Sequence, residues 1–174
     1  EALVERLRKV KLLLLDCDGV LTDGTIIVGG TGDEIKHFHV RDGHGIRMLQ
    51  RIAGVKAGIV TGRKSRAVEI RAQDLKIERV HQLIWDKSAL LDEILAEEGL
   101  EADEVGFIGD DVQDAKVLRR VGFAASVADG HPLAKAAAHY VTELAGGKGA
   151  VREVIDMILH AQGHWERVAS GERF

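Results

Sequence analysis

The sequence predicts an α/β fold: a doubly wound parallel sheet with one β-hairpin inserted near its start. Short apolar runs of strand length recur at Leu12–Leu15, Ala57–Val60, Val105–Ile108 and Phe123–Val127, with a weaker run at Val80–Ile84. Stretches of helix length separate them, and this alternation implies right-handed crossovers and a sheet covered on both faces. One segment breaks the pattern. Thr25–Val28 and Glu34–His39 flank the glycine turn GGTG (Gly29–Gly32), which reads as a hairpin.

Taken in order, residues 1–11 mix acidic and basic side chains and so are not read as a signal peptide. Leu12–Leu15 is apolar at every position, as a strand buried on both faces should be. After the hairpin come a helix over Gly45–Ile52, the strand Ala57–Val60, and a helix over Ser65–Leu75. Lys87–Glu98 places Leu90, Leu91, Ile94 and Leu95 at helical spacing. Helices over Asp111–Arg120, Pro132–Ala138 and Ala150–Gln162 complete the alternation. The polar tail GHWERVASGERF, residues 163–174, reads as partly disordered.

Composition bounds the partners. A chain of 174 residues suits one domain spanning 1–174, and 45% hydrophobic with 30% charged residues is the balance of a globular protein. A net charge of −4 argues against nucleic acid or an anionic membrane as the main partner. No apolar run approaches the ~20 residues of a membrane span. The single cysteine cannot form an internal disulfide, which fits a cytoplasmic location.

In an open parallel sheet, ligands gather at the carboxyl ends of the strands. The unusual residues fall there. Asp16 and Asp18 end the first strand in LLLLDCDGVLTDG; Thr61, Gly62 and Arg63 follow the second in GIVTGRKS. Lys87 opens a helix in WDKS, and Asp110 and Asp111 follow VGFIG with Asp114 one turn on. An aspartate after a strand is often only a cap or turn residue. Several strand ends all carrying charge are much harder to dismiss.

The chemistry that fits is metal-assisted phosphoryl transfer. Hard carboxylate oxygens suit Mg²⁺, and Asp16 and Asp110 each offer one. Asp16 is the candidate nucleophile and Asp18 the candidate acid–base. Thr61, the Gly62 amide and the Lys87 ammonium are placed to hold phosphoryl oxygens. Gly19 lets the turn bring backbone amides close.

DCDGVLTDG, VTGR, the lone Lys87 and GDDVQD resemble, in order, the four motifs of the haloacid dehalogenase superfamily of phosphatases. The resemblance implies a Rossmann-like sheet, Asp16 as nucleophile, Asp18 as acid–base, and Thr61 and Lys87 on phosphate. It also implies Mg²⁺ held by Asp16, the Asp18 carbonyl and Asp110, with Asp111 in support. Only the hairpin (about 25–39) lies between Asp23 and His39, so the chain resembles the capless members, without a cap domain, whose sites neighbouring subunits cover. GDEIKHFHVRDGHGIRML, TGRKS and AGGKGAVREVIDMIL are similar to the subgroup acting on the 8-phosphate of the eight-carbon acid sugar 3-deoxy-D-manno-octulosonate, a lipopolysaccharide precursor. That similarity runs from about residue 10 to residue 162. It implies a homotetramer and substrate contacts from Asp18, His39, Val40, Arg41, Asp42, Gly43, Arg47, Gly62, Arg63, Arg71 and Lys87. His39 stands where asparagine is expected, and a sister group acting on nine-carbon sialic-acid-type 9-phosphates has an aspartate before its lysine, as Asp86 is here. Arg41-Asp42-Gly43 and Arg63-Lys64 match the eight-carbon group. An acid sugar also requires cations for its carboxylate.

Other features have plainer readings. Cys17, between two aspartates, reads as a small buried residue, because like charge disfavours its thiolate. His37 and His39 alternate on the expected strand, but without further soft ligands they are not read as a zinc pair. AGGKG (Ala145–Gly149) lacks the P-loop's spacing and Ser/Thr; it is either a turn before the last helix or, by the resemblance, a loop reaching a neighbour's site. Two other functions share parts of this pattern. In a phosphoacceptor signalling domain the acid pair comes early, whereas Asp110 and Asp111 come last here. A non-catalytic oligomerisation module would be expected to have lost an aspartate or the lysine.

Overall fold

In the computed structural model, which describes residues 1–171, the chain opens with helix α1 (Ala2–Lys9) and the central strand β1 (Leu12–Leu15). The hairpin strands β2 (Ile27–Val28) and β3 (Glu34–Ile35) follow, then α2 (Val40–Met48), β4 (Lys56–Val60), α3 (Arg66–Leu75), β5 (Arg79–His81) and α4 (Lys87–Glu98). The second half runs β6 (Val105–Gly109), α5 (Ala115–Leu118), β7 (Phe123–Ser126), α6 (Pro132–Ala137), β8 (Tyr140–Val141), α7 (Ala150–Ala161) and α8 (Trp165–Ala169). Among the described residues the sheet has six parallel strands in the order β5-β4-β1-β6-β7-β8. The hairpin stands apart as a two-stranded ribbon, and no cap domain forms among the described residues.

Side-chain alternation along β1 divides the core in two. Leu13 and Leu15 face one layer, with Ile46 of α2, Val68 of α3 and Val154, Ile155 and Ile158 of α7. Leu12 and Leu14 face the other, with Leu90, Leu91 and Ile94 of α4 and Val117 and Leu118 of α5. Period two in the strand therefore distributes helices to both faces, and β1 is buried throughout. Strand order reverses on either side of β1, and at such a switch point a crevice forms outside the carboxyl ends of the strands.

Several boundaries differ from those read in the sequence. The hairpin pairs only Ile27 with Ile35 and Val28 with Glu34, so residues 36–39 are not strand and His37 and His39 share no strand face. The first internal helix starts at Val40, five residues before Gly45, and runs on through a wider turn over Leu49–Ala53. The helix expected over Asp111–Arg120 is a 3₁₀ turn, Val112–Asp114, followed by the short α5. The tail is helical over Trp165–Ala169, where Trp165 stacks on His160 at 3.7 Å between ring centroids. Residues 172–174 of that tail lie outside the described residues. Elements α1 and β8 carry too little apolar pattern to be seen: α1 buries only Leu7, and β8 is two residues long at the sheet edge.

Candidate active site

The site is built where β1 ends. The Asp16 amide still belongs to the sheet, donating to the Ile108 carbonyl at 3.0 Å, and its side chain is buried. The chain then turns abruptly. Gly19 takes φ +92°, a conformation few side chains tolerate, and a β-carbon there would lie 2.1 Å from the Asp110 carboxylate. Thr22 Oγ1 accepts from the Gly19 and Gly24 amides and holds the turn closed. The AGGKG loop clamps the turn from outside. The Gly147 amide donates to the Val20 carbonyl at 2.9 Å, and a β-carbon on Gly146 would sit 1.8 Å from the Gly19 carbonyl oxygen. These two glycines therefore pack on their own chain's first-motif turn.

Three strand ends contribute to one charged cluster. Lys87, the first residue of α4, is buried; its ammonium lies 2.9 Å from Asp16 and donates to Asp114 at 2.6 Å. The other Asp114 oxygen accepts from the Asp110 and Asp111 amides, so this fully buried carboxylate shapes the loop after β6. Asp111 itself is exposed, and its carboxylate caps the Val112 amide. The sequence reading put Asp111 in support of the metal site; the structure puts Asp114 into the cluster instead. Oxygens of Asp16, Asp110 and Asp114 lie within 4.8 Å of one another.

Electrostatics follow from this crowding. Burial raises the Asp16 pKa above the ordinary value against the pull of Lys87. Asp110 is raised too, first by burial and then by the charge of Asp16 and a hydrogen bond to it, so holding both carboxylates ionised is costly without a cation between them. Asp110 Oδ1 is buried with no partner. A hard divalent cation fits this donor set: it would relieve the repulsion between the carboxylates and occupy the orphaned oxygen. For Lys87, burial lowers the pKa, but the two aspartates outweigh it and the ammonium stays charged.

Asp18 lies beside this cluster with a separate set of partners. Lys36, just after β3, donates to Asp18 Oδ1 and ion-pairs with Glu34 at 2.5 Å, and Arg63 donates to Glu34 at 2.6 Å. Thr61 is buried at the end of β4, its Oγ1 accepting from the Arg63 amide, with Gly62 between them. Cys17 is buried, and burial followed by the Asp18 charge pushes its thiol up, as a structural residue.

The remaining expected substrate contacts are dispersed. His39 precedes α2 and Val40, Arg41, Asp42 and Gly43 form its first turn, with Val40 and Arg41 exposed. Asp42 is buried and accepts from the Arg152 amide at 2.8 Å, serving the N-terminal turn of α7. Arg47 reaches the Leu75 carbonyl at 3.4 Å, and the Arg71 guanidinium lies 5.8 Å from the centre of the Phe38 ring. Sequence reasoning missed Lys36, Thr22 and the clamp by Gly146 and Gly147. The alternation of Glu34 and Lys36 was the one available signal. A cleft of about 450 Å³ lies elsewhere, at the amino ends of β1, β4 and β5 between Lys56, Arg79, His81 and Glu98, away from these groups.

Residues 79–155 match the haloacid dehalogenase-like hydrolase family. The chain is 45% identical, over 91% of its length and 84% of the relative's, to the 3-deoxy-D-manno-octulosonate 8-phosphate phosphatase of Yersinia pestis. It superimposes with a TM-score of 0.94 on the Moraxella catarrhalis 3-deoxy-D-manno-octulosonate 8-phosphate phosphatase, solved with magnesium, phosphate and KDO, at 37% identity and 98% coverage of each chain. The cobalt-bound Haemophilus influenzae phosphatase gives a TM-score of 0.87 at 38% identity, covering 91% of this chain and 92% of that one. The chain therefore belongs to the haloacid dehalogenase-like hydrolases, within the family of the 3-deoxy-D-manno-octulosonate 8-phosphate phosphatases.

Proposed function

We propose that this chain is a Mg²⁺-dependent phosphatase that hydrolyses 3-deoxy-D-manno-octulosonate 8-phosphate to 3-deoxy-D-manno-octulosonate and phosphate, a step in lipopolysaccharide precursor synthesis. The observation that carries the reading is the buried Asp16 at the end of β1, held by Lys87, with Asp110 and Asp114 in reach and Asp18 alongside. Asp16 attacks phosphorus, and the bond to the sugar oxygen breaks as Asp18 gives that oxygen a proton. Asp18 then takes a proton from the water that cleaves the aspartyl-phosphate. Thr61, the Gly62 amide and Lys87 hold the phosphoryl oxygens throughout. Asp16, the Asp18 carbonyl and Asp110 would hold Mg²⁺, which would supply positive charge against both the carboxylates and the phosphate.

Two observations support the eight-carbon substrate. The relatives described above bear that activity in their names. Asp86, the residue shared with the nine-carbon group, caps α4 through the Ser88 and Ala89 amides and pairs with Lys116, so its carboxylate already has a structural task. The arginines at 41, 47, 63 and 71 are the cations available to the sugar acid's carboxylate. We further propose a homotetramer in the cytoplasm. Ile26, Val28 and Ile35 of the hairpin are half-exposed or more, and an isolated two-stranded ribbon does not stand alone. Phosphate release across a panel of eight-carbon, nine-carbon and neutral sugar phosphates tests the substrate. The eight-carbon acid ester should give the highest kcat/KM with Mg²⁺; a higher value for a 9-phosphate would reassign it.

A further inference from the structure

Deepening this reading and resting on it, we propose that Lys36 is a positioning residue for Asp18, fixing which carboxylate oxygen exchanges the leaving-group proton. A free carboxylate presents two equivalent oxygens and turns about its last bond. Here they are unlike. Oδ1 is the acceptor of the Lys36 ammonium, whose side chain is only 2% exposed. Oδ2 is buried with no hydrogen-bond partner, and Arg63 Nε is 3.9 Å away. A charge-assisted bond of this kind is short and directional, so it holds the group against rotation. The oxygen left bare is the one able to carry the proton.

The anchor is itself anchored. Lys36 is flanked by Glu34, 2.5 Å away, and Glu34 is held from its other oxygen by Arg63 of the loop after β4. The cation that orients Asp18 thus arrives from the hairpin, 18 residues along the chain, and is braced by the loop that carries Thr61. The hairpin therefore has a task inside its own protomer, separate from assembly.

The chemistry sets the test. When the P–O bond breaks, a sugar alkoxide requires the Asp18 proton, whereas p-nitrophenolate leaves without one. Lys36→Met keeps the unbranched stem and removes the charge. With the tetramer verified by light scattering, phosphoenzyme formation from the sugar 8-phosphate, read by rapid quench in a single turnover, should slow about 30-fold or more, toward the ~10²–10⁴ typical of general acid–base catalysis. Phosphoenzyme formation from p-nitrophenyl phosphate, read as the p-nitrophenolate burst, should slow less than about threefold, because that leaving group needs no proton; the later hydrolysis, common to both esters, slows alike. Lys36→Arg should recover most of the sugar-phosphate rate. Should Lys36→Met not fold, Lys36→Gln carries the same comparison. Equal slowing of phosphoenzyme formation from both esters, or no slowing from either, would overturn the role of Lys36. A wild-type protein that releases phosphate from neither ester would instead overturn the phosphatase reading and this inference with it.

Discussion

Replacing Lys87 by methionine removes a charge while keeping most of the volume, so packing changes little. The electrostatic change is large. The Lys87 ammonium is the buried cation between Asp16 at 2.9 Å and Asp114 at 2.6 Å, and Asp110 lies within the same 4.8 Å cluster. Removing one partner of a buried ion pair leaves an uncompensated charge and costs about 3–5 kcal/mol. At roughly 2–4 °C per kcal/mol for a chain of this size, that is a fall in Tm of roughly 6–20 °C. Protonation relieves part of the repulsion, so the loss should be smaller at pH 5 than at pH 8. The assay is guanidinium or thermal unfolding of both proteins in chelator, at one fixed protomer concentration because assembly adds to apparent stability. A loss below about 1 kcal/mol at pH 8 would contradict the ~3–5 kcal/mol argued for a broken buried pair. An equal loss at both pH values would also refute the reasoning.

Other perturbations follow from the same geometry. In chelator, Asp16 and Asp110 have folded pKa values of about 6 and about 8 against the ordinary 3.8, so the folded state holds their protons more tightly. Their contribution to stability therefore declines as pH rises from about 4 to about 8, and Mg²⁺ should cancel that decline. The Tm difference between Mg²⁺ and chelator should widen from pH 5 to pH 8; a constant difference would contradict the raised values. Gly146→Ala drives a β-carbon into the Gly19 carbonyl, and denaturant unfolding should show a loss of about 1–3 kcal/mol together with reduced activity. Full stability and activity in that variant would mean the loop does not clamp the turn. Val28→Asp, at a hairpin position 65% exposed in the protomer, should leave the fold intact by circular dichroism but dissociate the assembly in light scattering. An unchanged mass would remove the hairpin from the interface.

The sheet was legible because its signals are local. Leu12–Leu15 and Val105–Ile108 are too apolar and too short to be anything but buried strands, and the charged groups that follow them mark the strand ends. The same logic located Asp16, Thr61, Lys87 and Asp110 along one edge. What escaped depends on contacts distant in sequence. Lys36 reads as an ordinary solvated lysine until the hairpin folds back and places it on Asp18, 18 residues away. Asp114, though noted one turn beyond Asp111, shows its importance only when Lys87 arrives from 27 residues away. The hairpin itself was overextended because alternating residues 36–39 mimic a strand, whereas Lys36 and Phe38 turn inward, Phe38 onto the core and beneath Arg71. The AGGKG loop, read as a turn before the last helix or a reach to a neighbour's site, has glycines that are real requirements. They serve close backbone packing against Gly19.

The most direct test of the account is where the phosphoryl group resides during turnover. Asp18→Asn, acid-quenched within milliseconds of mixing with ³²P-labelled p-nitrophenyl phosphate and Mg²⁺, should carry label on a single peptide, at Asp16, because loss of the acid–base slows hydrolysis of the acyl phosphate more than its formation from a good leaving group. The label should be released by hydroxylamine and be absent from Asp16→Asn. Label on any other residue, or a labelled Asp16→Asn, would contradict the assignment of Asp16 as nucleophile.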